Sequence, residues 1–365
     1  MQADFHYDAI YVLSRCAGLS PSASLTIATC SQYVDEAVER DLPRPPQGFG
    51  ILPDVTAHRI SDLIENTDTE DQRRVWVPFH FLPGGQGDTQ SERLICRKDS
   101  VVAQAVVRHA IEECRKPFGL ELVGITAHAY ADTFAHWGFS GVSSRWNRVR
   151  PGSVALANES SKASVFFTPL LQRLLAAVDV RQGNLIPNFR SAVTGAANLG
   201  ALGHAAVATS PDQPFLAWSF EYEPFPDIPT RAQDRLNPLD YLAAAEKLHA
   251  FFVSVRERIV DPACVTGVAF DSISGAVRQV LAHVGDPAAR AAAWKAAAAA
   301  NRFGNIGSVP EYSVAGMDAS RNALAEWRRG DEAVVQPAFR FYQAATRHRW
   351  FVLRDLLPEH GIVLI

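Results

Sequence analysis

Three polar residues at four-residue intervals mark the stretch ITAHAYADTFAHWGFSG, residues 125–141: His128, Asp132 and His136. Small or apolar residues fill most positions between them, and no proline or glycine interrupts 125–137, so we predict a helix there. A step of four residues turns an α-helix by about 40°, which places the three side chains along one face. Imidazole nitrogens and carboxylate oxygens on successive turns can converge on metal ions beside such a helix.

A second interpretation of this spacing is a helix with buried, hydrogen-bonded polar residues, or a His–Asp pair on a solvated face. The chain has only 11 histidines in 365 residues. Because two of them flank an aspartate in an apolar frame, we favour metal binding. The motif alone indicates neither the metal nor the reaction.

Any further ligands must come from elsewhere in the chain, and five short motifs offer them. These are DFHYD with His6, SQYVDEA with Asp35, TAHRISD with His58, PFHFLPG with His80, and LGHAAVATSPDQ with His204 and Asp212. Each residue taken alone favours a structural role. Together they form a set of histidines and aspartates without cysteine, which indicates catalytic zinc, manganese or iron rather than a structural zinc. A carboxylate between two histidines, such as Asp132, can bridge two ions about 3.5–4 Å apart.

The composition is that of an ordinary globular protein, with 47% hydrophobic and 20% charged residues. Its length allows one or two domains. The net charge of −4 gives no global basic signature, so we expect no nucleic-acid partner. Five cysteines, an odd number without a CxxC pair, are typical of a reduced intracellular protein. With no signal peptide at the N-terminus, we expect a cytoplasmic protein. No apolar run approaches the roughly 20 residues of a membrane helix, so we expect no membrane partner.

Helical periodicity dominates the chain, and we predict an all-α fold with few short strands. Early helices are expected over 8–19, 20–40 and 100–116, and later ones over 164–180, 191–209 and most of the C-terminal third. The stretch RRVWVPFHFLPGGQGD, residues 73–88, is β-prone before its glycine turn.

No alternating strand–helix units or internal repeats divide the chain. We therefore predict a single α-helical metal-binding domain over residues 1–365. Within it, residues 1–234 carry the site, and residues 235–365 form a C-terminal helical layer.

A family resemblance rests on the motifs DFHYD, SQYVDEA, PFHFLPG, HAYADTFAHWGFSG, and LGHA followed by PDQPFLAW. Together they resemble an uncharacterised microbial family, over about residues 1–222. That family is distantly similar to the zinc-dependent phospholipases C and to the single-strand-specific nucleases of fungi and plants, through the order of the ligands. The resemblance implies a multi-helix fold of the phospholipase C and nuclease kind.

The resemblance also implies which residues hold metal. One zinc would be held by Asp35, His58 or His80, His128 and Asp132, a second by His136, His204 and Asp212, and a third by His6 and Asp132. In the secreted enzymes the N-terminal residue supplies its amine and carbonyl to the third metal. Here the amine of Met1 or the side chain of Asp4 would be the corresponding ligand of the third metal. The site would hold two or three ions, with iron or manganese as alternatives to zinc.

The expected function is that of a metal-dependent hydrolase acting on a small-molecule substrate, in particular a phosphate ester. Asp35 and Asp132 are the candidate catalytic carboxylates. The resemblance implies attack by a metal-bridging hydroxide, because metal ions lower the pKa of bound water and neutralise charge on the phosphoryl oxygens. One alternative is an oxygenase or biosynthetic enzyme that uses non-haem iron or another metal. The other is a non-catalytic helical binding protein.

Overall fold

The structure of the protein, a computed structural model, describes residues 1–39, 53–58, 68–156, 201–225, 231–324 and 334–364. These residues are mainly helical, which confirms the predicted all-α class, whereas the fold of the phospholipase C and nuclease kind stays a prediction. The longer helices are Pro21–Tyr33, Val101–Glu113, Gly119–Ala135, Asn237–Arg258, Phe270–Leu281, Pro287–Ala299, Val314–Ala323 and Pro337–Trp350. The shorter helical segments are Asp4–Ala9, Ile10–Cys16, Thr69–Asp71, Gln72–Trp76, Val77–Phe79, Gln90–Arg93, Arg145–Asn147, Ala205–Val207, Ser210–Asp212, Phe351–Leu356 and Leu357–Glu359. The helix predicted over 164–180 and the first part of the one predicted over 191–209 lie outside the described residues.

The helix Gly119–Ala135, called the central helix below, is buried along nearly its whole length. Alanine and glycine make up much of its sequence, so neighbouring helices can approach closely. It packs against Pro21–Tyr33, Val101–Glu113, Asn237–Arg258 and Pro337–Trp350. A helix surrounded in this way can carry polar side chains only if they find partners in the interior.

Gly124 allows one of these close approaches. A Cβ atom at this position would lie 2.5 Å from the carbonyl oxygen of Ile27 and 2.8 Å from the Cβ of Cys30. Any larger residue would therefore push the central helix away from Pro21–Tyr33. This packing brings the carbonyl oxygen of Ser31 close to the central helix, where it lies 2.8 Å from Nδ1 of His128.

The N-terminal segment lies inside the molecule. Residues Asp4–Ala9 form a buried π-helical turn that continues into Ile10–Cys16. Arg290, on the helix Pro287–Ala299, donates from Nε and Nη2 to the two carboxylate oxygens of Asp4, both at 2.8 Å. Each side chain of this pair is only 2% exposed. A helix near the C-terminus thus anchors the turn that carries His6.

The prediction of β structure over 73–88 is wrong in its first half, where Gln72–Trp76 and Val77–Phe79 are helical. Pro78 lies near the C-terminal end of this continuous helical run. The segment packs against Pro337–Trp350. Burial in this contact outweighs the strand propensity of the valine and aromatic residues, which depends strongly on context.

One antiparallel sheet covers the C-terminal end of the central helix. Its strands, in spatial order, are Ala155–Leu156, Ala217–Glu221 and Ala232–Leu236. Phe220, on the middle strand, stacks on Phe139 with ring centroids 5.5 Å apart. The sheet thereby holds the chain that leaves the central helix.

Two helices of the predicted C-terminal layer, Asn237–Arg258 and Pro337–Trp350, contact the central helix. The division of the chain into domains stays a prediction. Among the residues that the structure describes, no helix is long and apolar enough to cross a membrane.

Candidate metal centre

The central helix carries His128 and Asp132 on one buried face, as their spacing predicts. The side chains of these two residues are at most 1% exposed. His136 lies one residue beyond the helix, with φ −95° and ψ 5°. Its Nε2 is 3.1 Å from Oδ1 of Asp212. The three residues of the motif therefore divide between two neighbouring parts of one cluster.

Three groups of side chains have ligand atoms within 4.8 Å of one another and can each hold a metal ion. They are His6 with Asp35 and His128, His80 with His128 and Asp132, and His136 with His204 and Asp212. Every group contains two imidazoles and one carboxylate, and His128 belongs to two of them. The structure thus brings together all the predicted ligands except His58.

Geometry distinguishes His80 from His58. Nδ1 of His80 lies 3.4 Å from Oδ2 of Asp132 and 3.8 Å from Oδ1 of Asp35. Nε2 of His58 instead lies 3.8 Å from a carboxylate oxygen of Asp71, and His58 is in none of the three groups. The segment around His58 contributes a backbone group instead, because the carbonyl oxygen of Thr56 accepts a hydrogen bond from Nε2 of His80 at 2.8 Å.

Four of the five imidazoles in the cluster bond to a backbone carbonyl at 2.8 Å. The bonds are His80 Nε2 to Thr56, His128 Nδ1 to Ser31, His136 Nδ1 to His80, and His204 Nδ1 to Ala208. A carbonyl only accepts, so the bonded nitrogen carries a proton, and in a neutral ring the other nitrogen keeps its lone pair. Burial lowers the pKa of His80, but the contact with Asp132 and the charge of Asp35 raise it overall. In each ring that second nitrogen faces carboxylates. Metal-binding histidines are usually oriented in this way by a carbonyl or carboxylate behind the ring.

His6 is the fifth imidazole, and it is fully buried. Neither of its ring nitrogens has a hydrogen-bond partner among the described residues. Its ring stacks on that of His128 with centroids 3.8 Å apart, and its Nε2 lies 3.2 Å from Oδ1 of Asp132. A buried nitrogen without a partner costs free energy. A metal ion bound at Nε2 would remove that cost, so the residues present fit a metal ion.

The two carboxylate oxygens of Asp132 face different partners. Oδ1 lies 2.6 Å from the Met1 amine and 3.2 Å from Nε2 of His6. Oδ2 lies 3.3 Å from Nε2 of His128 and 3.4 Å from Nδ1 of His80. This division of contacts is what a carboxylate that bridges two cations requires.

The amine of Met1 lies between the two parts of the cluster. It is 2.6 Å from Asp132, 3.3 Å from Oδ1 of Asp212 and 3.4 Å from Nε2 of His136. Burial opposes its charge, but Asp132 and Asp212 raise the pKa of the amine to about 11. The ammonium thus marks a position where a cation is stabilised. Asp4, the other candidate for this position, is bound to Arg290 instead.

The protonation states follow from burial and from neighbouring charges. Burial is the largest influence on the pKa of Asp132 and Asp212 and would raise it, but His136 and the Met1 amine hold both pKa values well below their usual range. Burial lowers the pKa of His6 to about 3 and that of His204 to about 4. These two rings are therefore neutral at pH 7 while the carboxylates are charged.

The cluster opens toward solvent at two residues. The side chain of Asp35 is 33% exposed and that of His204 is 18% exposed, whereas the other side chains of the cluster are at most 9% exposed. A substrate that approaches the described part of the cluster would first meet Asp35 and His204.

Arg290 and the backbone carbonyls behind the imidazoles were not predicted from the sequence. Arg290 lies in an alanine-rich helix, where an isolated arginine is typical of a solvated face, and its partner Asp4 is 286 residues away. The carbonyls of Ser31 and Thr56 carry no signal in the sequence, because every residue has one.

Comparison with known proteins gives one match. No curated protein and no solved structure matches the chain. One family model, described as "Family of unknown function (DUF6765)", matches residues 1–356, which is nearly the whole chain. On this match the chain belongs to that family of unknown function.

Proposed function

We propose that the protein is a metal-dependent hydrolase whose substrate is a phosphate ester of a small molecule. The observation that carries the proposal is the set of four imidazoles whose protons are held by backbone carbonyls and whose free nitrogens converge on carboxylates. A cluster that serves only stability also needs an acceptor for each N–H, but it does not need the second ring nitrogens to converge on shared carboxylates. Nitrogen and oxygen ligands without thiolate favour zinc in a catalytic role.

The arrangement supports two neighbouring ions and leaves room for a third. One ion would be held by His136, His204 and Asp212, and another by ligands around His128 and Asp132. The Met1 amine lies between these places and contacts both aspartates, so it stands where a third cation or its ligand would lie.

The residues of the chain have separate parts in the proposed reaction. Bound ions would lower the pKa of a water molecule and neutralise charge on the phosphoryl oxygens. Asp132, which is buried, would hold ions in place. Asp35, at the open edge, lies 3.7 Å from Nε2 of His128 and 3.8 Å from Nδ1 of His80, and it can accept a proton from a water molecule beside it.

Metal analysis and hydrolysis assays together test this proposal. The metal content of purified protein would be measured by mass spectrometry, and 4-nitrophenyl phosphate and bis(4-nitrophenyl) phosphate would be offered as substrates. We expect bound zinc and hydrolysis of at least one ester. Asp35→Asn should lower kcat by about 100-fold or more, the usual effect of losing an acid–base group. His58→Ala is the matched control, since this neighbouring histidine lies outside the three groups.

Two results would contradict the proposal. One is a folded protein that binds no metal after incubation with zinc, manganese or iron. The other is an Asp35→Asn variant that hydrolyses both esters as fast as the wild type.

A second candidate function is supported by the composition of the three groups. Each has two histidines and one carboxylate, the ligand set of non-haem iron oxygenases. Bound iron, together with oxygen consumption and no ester hydrolysis, would favour this alternative. The sharing of His128 and the proximity of the groups favour hydrolysis, because oxygenases of this kind need one such site.

A further inference from the structure

A groove of about 740 Å³ lies beside the chain that leaves the central helix. Basic side chains and indole rings line it, among them Arg97, Lys98, Arg231, Trp137 and Trp146. None of the candidate metal ligands lines this groove. It is therefore separate from the metal centre, although Trp137 directly follows a ligand in the sequence.

The groove carries a net positive charge. Its one acidic lining residue is Glu92. The carboxylate of Glu92 already accepts hydrogen bonds from the backbone N–H groups of Asp88 and Thr89, at 2.9 Å and 3.0 Å. Lys98 is paired with Asp240 at 2.5 Å. Exposed Arg97 forms no ion pair or hydrogen bond with the described residues, so its guanidinium group is available to an anion.

Arg231 is held in place by aromatic rings. Its guanidinium carbon lies 4.0 Å from the ring centroid of Tyr222 and 4.4 Å from that of Trp146. Its Nη2 donates a hydrogen bond to the carbonyl oxygen of Trp146 at 3.3 Å. Because the ring contacts remove part of its hydration, an anion in the groove would gain more from this arginine than from one in open solvent.

Trp137 is fixed just as firmly. Its Nε1 donates to Oδ2 of Asp240 at 2.9 Å, and Lys98 and Arg235 lie 4.3 Å and 3.9 Å from its ring centroid. Trp137 and Trp146 are each only partly buried. The exposed part of each indole ring therefore lies beside the cations of the groove.

We propose that this groove binds a small aromatic anion, that is, an aromatic ring bearing a phosphate or phosphonate group. The planar guanidinium groups of Arg97 and Arg231 suit the oxygens of such a group. The partly exposed rings of Trp137 and Trp146 suit its aromatic part. The volume is in the usual range for small-molecule sites. This inference does not depend on the proposed hydrolase activity.

The test uses phenylphosphonate, an aromatic anion with no ester bond to hydrolyse. Its binding to the full-length protein would be measured by calorimetry and tryptophan fluorescence, in the metal-loaded and the chelated state. We expect saturable binding in both states. Arg97→Met should weaken it by about tenfold or more, the usual effect of losing a charge-assisted hydrogen bond. Arg108→Met, an exposed arginine outside the groove, should leave binding unchanged.

Since Arg97 is exposed, its replacement should not disturb folding. Arg231→Met is the second variant and should also weaken binding. Absence of saturable binding would overturn the proposal. So would equal affinity in wild type and both variants, or binding that disappears when metal is removed, which would place the ligand at the metal centre. Inorganic phosphate that binds as tightly as phenylphosphonate would overturn the aromatic part of the assignment.

Discussion

Asp132→Asn is the perturbation that probes the candidate centre most directly. The substitution keeps the size of the side chain and removes its charge. Oδ1 faces the Met1 amine and His6, whereas Oδ2 faces His80 and His128. The loss of one carboxylate therefore affects cation sites on both of its sides.

The expected magnitude follows from the charges in the cluster. Asp35, Asp132 and Asp212 supply three negative charges, and two bound divalent ions would supply four positive ones. Removing one carboxylate leaves two negative charges to balance the same four positive charges. We therefore expect Asp132→Asn to lose more than one metal ion per chain. His204 belongs to one group only, so His204→Ala should lose about one ion.

The same substitution should also change the stability of the metal-free protein. Asp132→Asn leaves the buried Met1 ammonium without its partner at 2.6 Å. Breaking a buried ion pair from one side costs about 3–5 kcal/mol of stability. We therefore expect a lower melting temperature for the chelated variant than for the chelated wild type.

The assay is metal content per chain for the wild type, Asp132→Asn, His204→Ala and the control His58→Ala, with circular dichroism to confirm folding. His58→Ala should keep the wild-type metal content. The reasoning is refuted if folded Asp132→Asn retains all its metal. It is also refuted if His58→Ala loses as much metal as His204→Ala.

Three further predictions concern the surroundings of the centre. Arg290→Met should lower the free energy of unfolding by about 3–5 kcal/mol, because it leaves the buried charge of Asp4 unpaired. Adding Asp4→Leu should recover part of this loss. If the double variant in denaturant unfolding loses the sum of the two single losses, the prediction is wrong. Extending the chain before Met1 should lower metal content more than an equally long C-terminal tag, and equal metal content in both forms would count against a role for the amine. Burial lowers the pKa of His348 from 6.5 to about 4, so the unfolded chain takes up the proton first as the pH falls. The free energy of unfolding should then drop by up to about 3 kcal/mol between pH 6.5 and 4. His348→Gln should reduce this pH dependence, measured by urea unfolding at several pH values. The same pH dependence in the variant and the wild type would contradict the assignment.

Sequence alone could predict the central helix because its information is local. Alanine-rich sequence without an interruption over 125–137 favours a helix, and the observed helix is Gly119–Ala135. The four-residue step then places His128 and Asp132 on one face. The types of metal ligand could also be predicted from the sequence, because histidines and aspartates without cysteine limit the kinds of metal site that the chain can form.

The glycine at 138 predicts that the helix ends near it, and the observed end at Ala135 agrees, but the contacts that fix this end come from distant residues. Arg235 donates to the carbonyl oxygens of Ala135 and Trp137, at 3.3 Å and 2.5 Å. Gly138 has φ +89°, which turns the chain away. His136, just beyond the helix, thus contacts both Asp132, with Nδ1 3.5 Å from Oδ2, and Asp212, with Nε2 3.1 Å from Oδ1.

The choice between His58 and His80 was equally beyond the sequence. Both lie in short motifs without helical periodicity, and either has the right chemistry. The helical turn Val77–Phe79 and its packing determine the outcome, and this segment was predicted as β-prone. Packing of this turn against distant helices places His80 in the cluster, and no local sequence pattern predicts that packing.

The protonation states of the cluster bear on its proposed role as a metal centre. Metal ligands must be neutral imidazoles and charged carboxylates. Burial alone would neutralise both kinds of group, yet Asp132 and Asp212 stay charged because the Met1 amine and neighbouring rings lower their pKa values, while His6 and His204 stay neutral. His80 differs, because burial lowers its pKa but its contact with Asp132 and the charge of Asp35 raise it overall. Besides His80, one ammonium balances the buried charges of Asp132 and Asp212, and a bound metal cation would supply further positive charge.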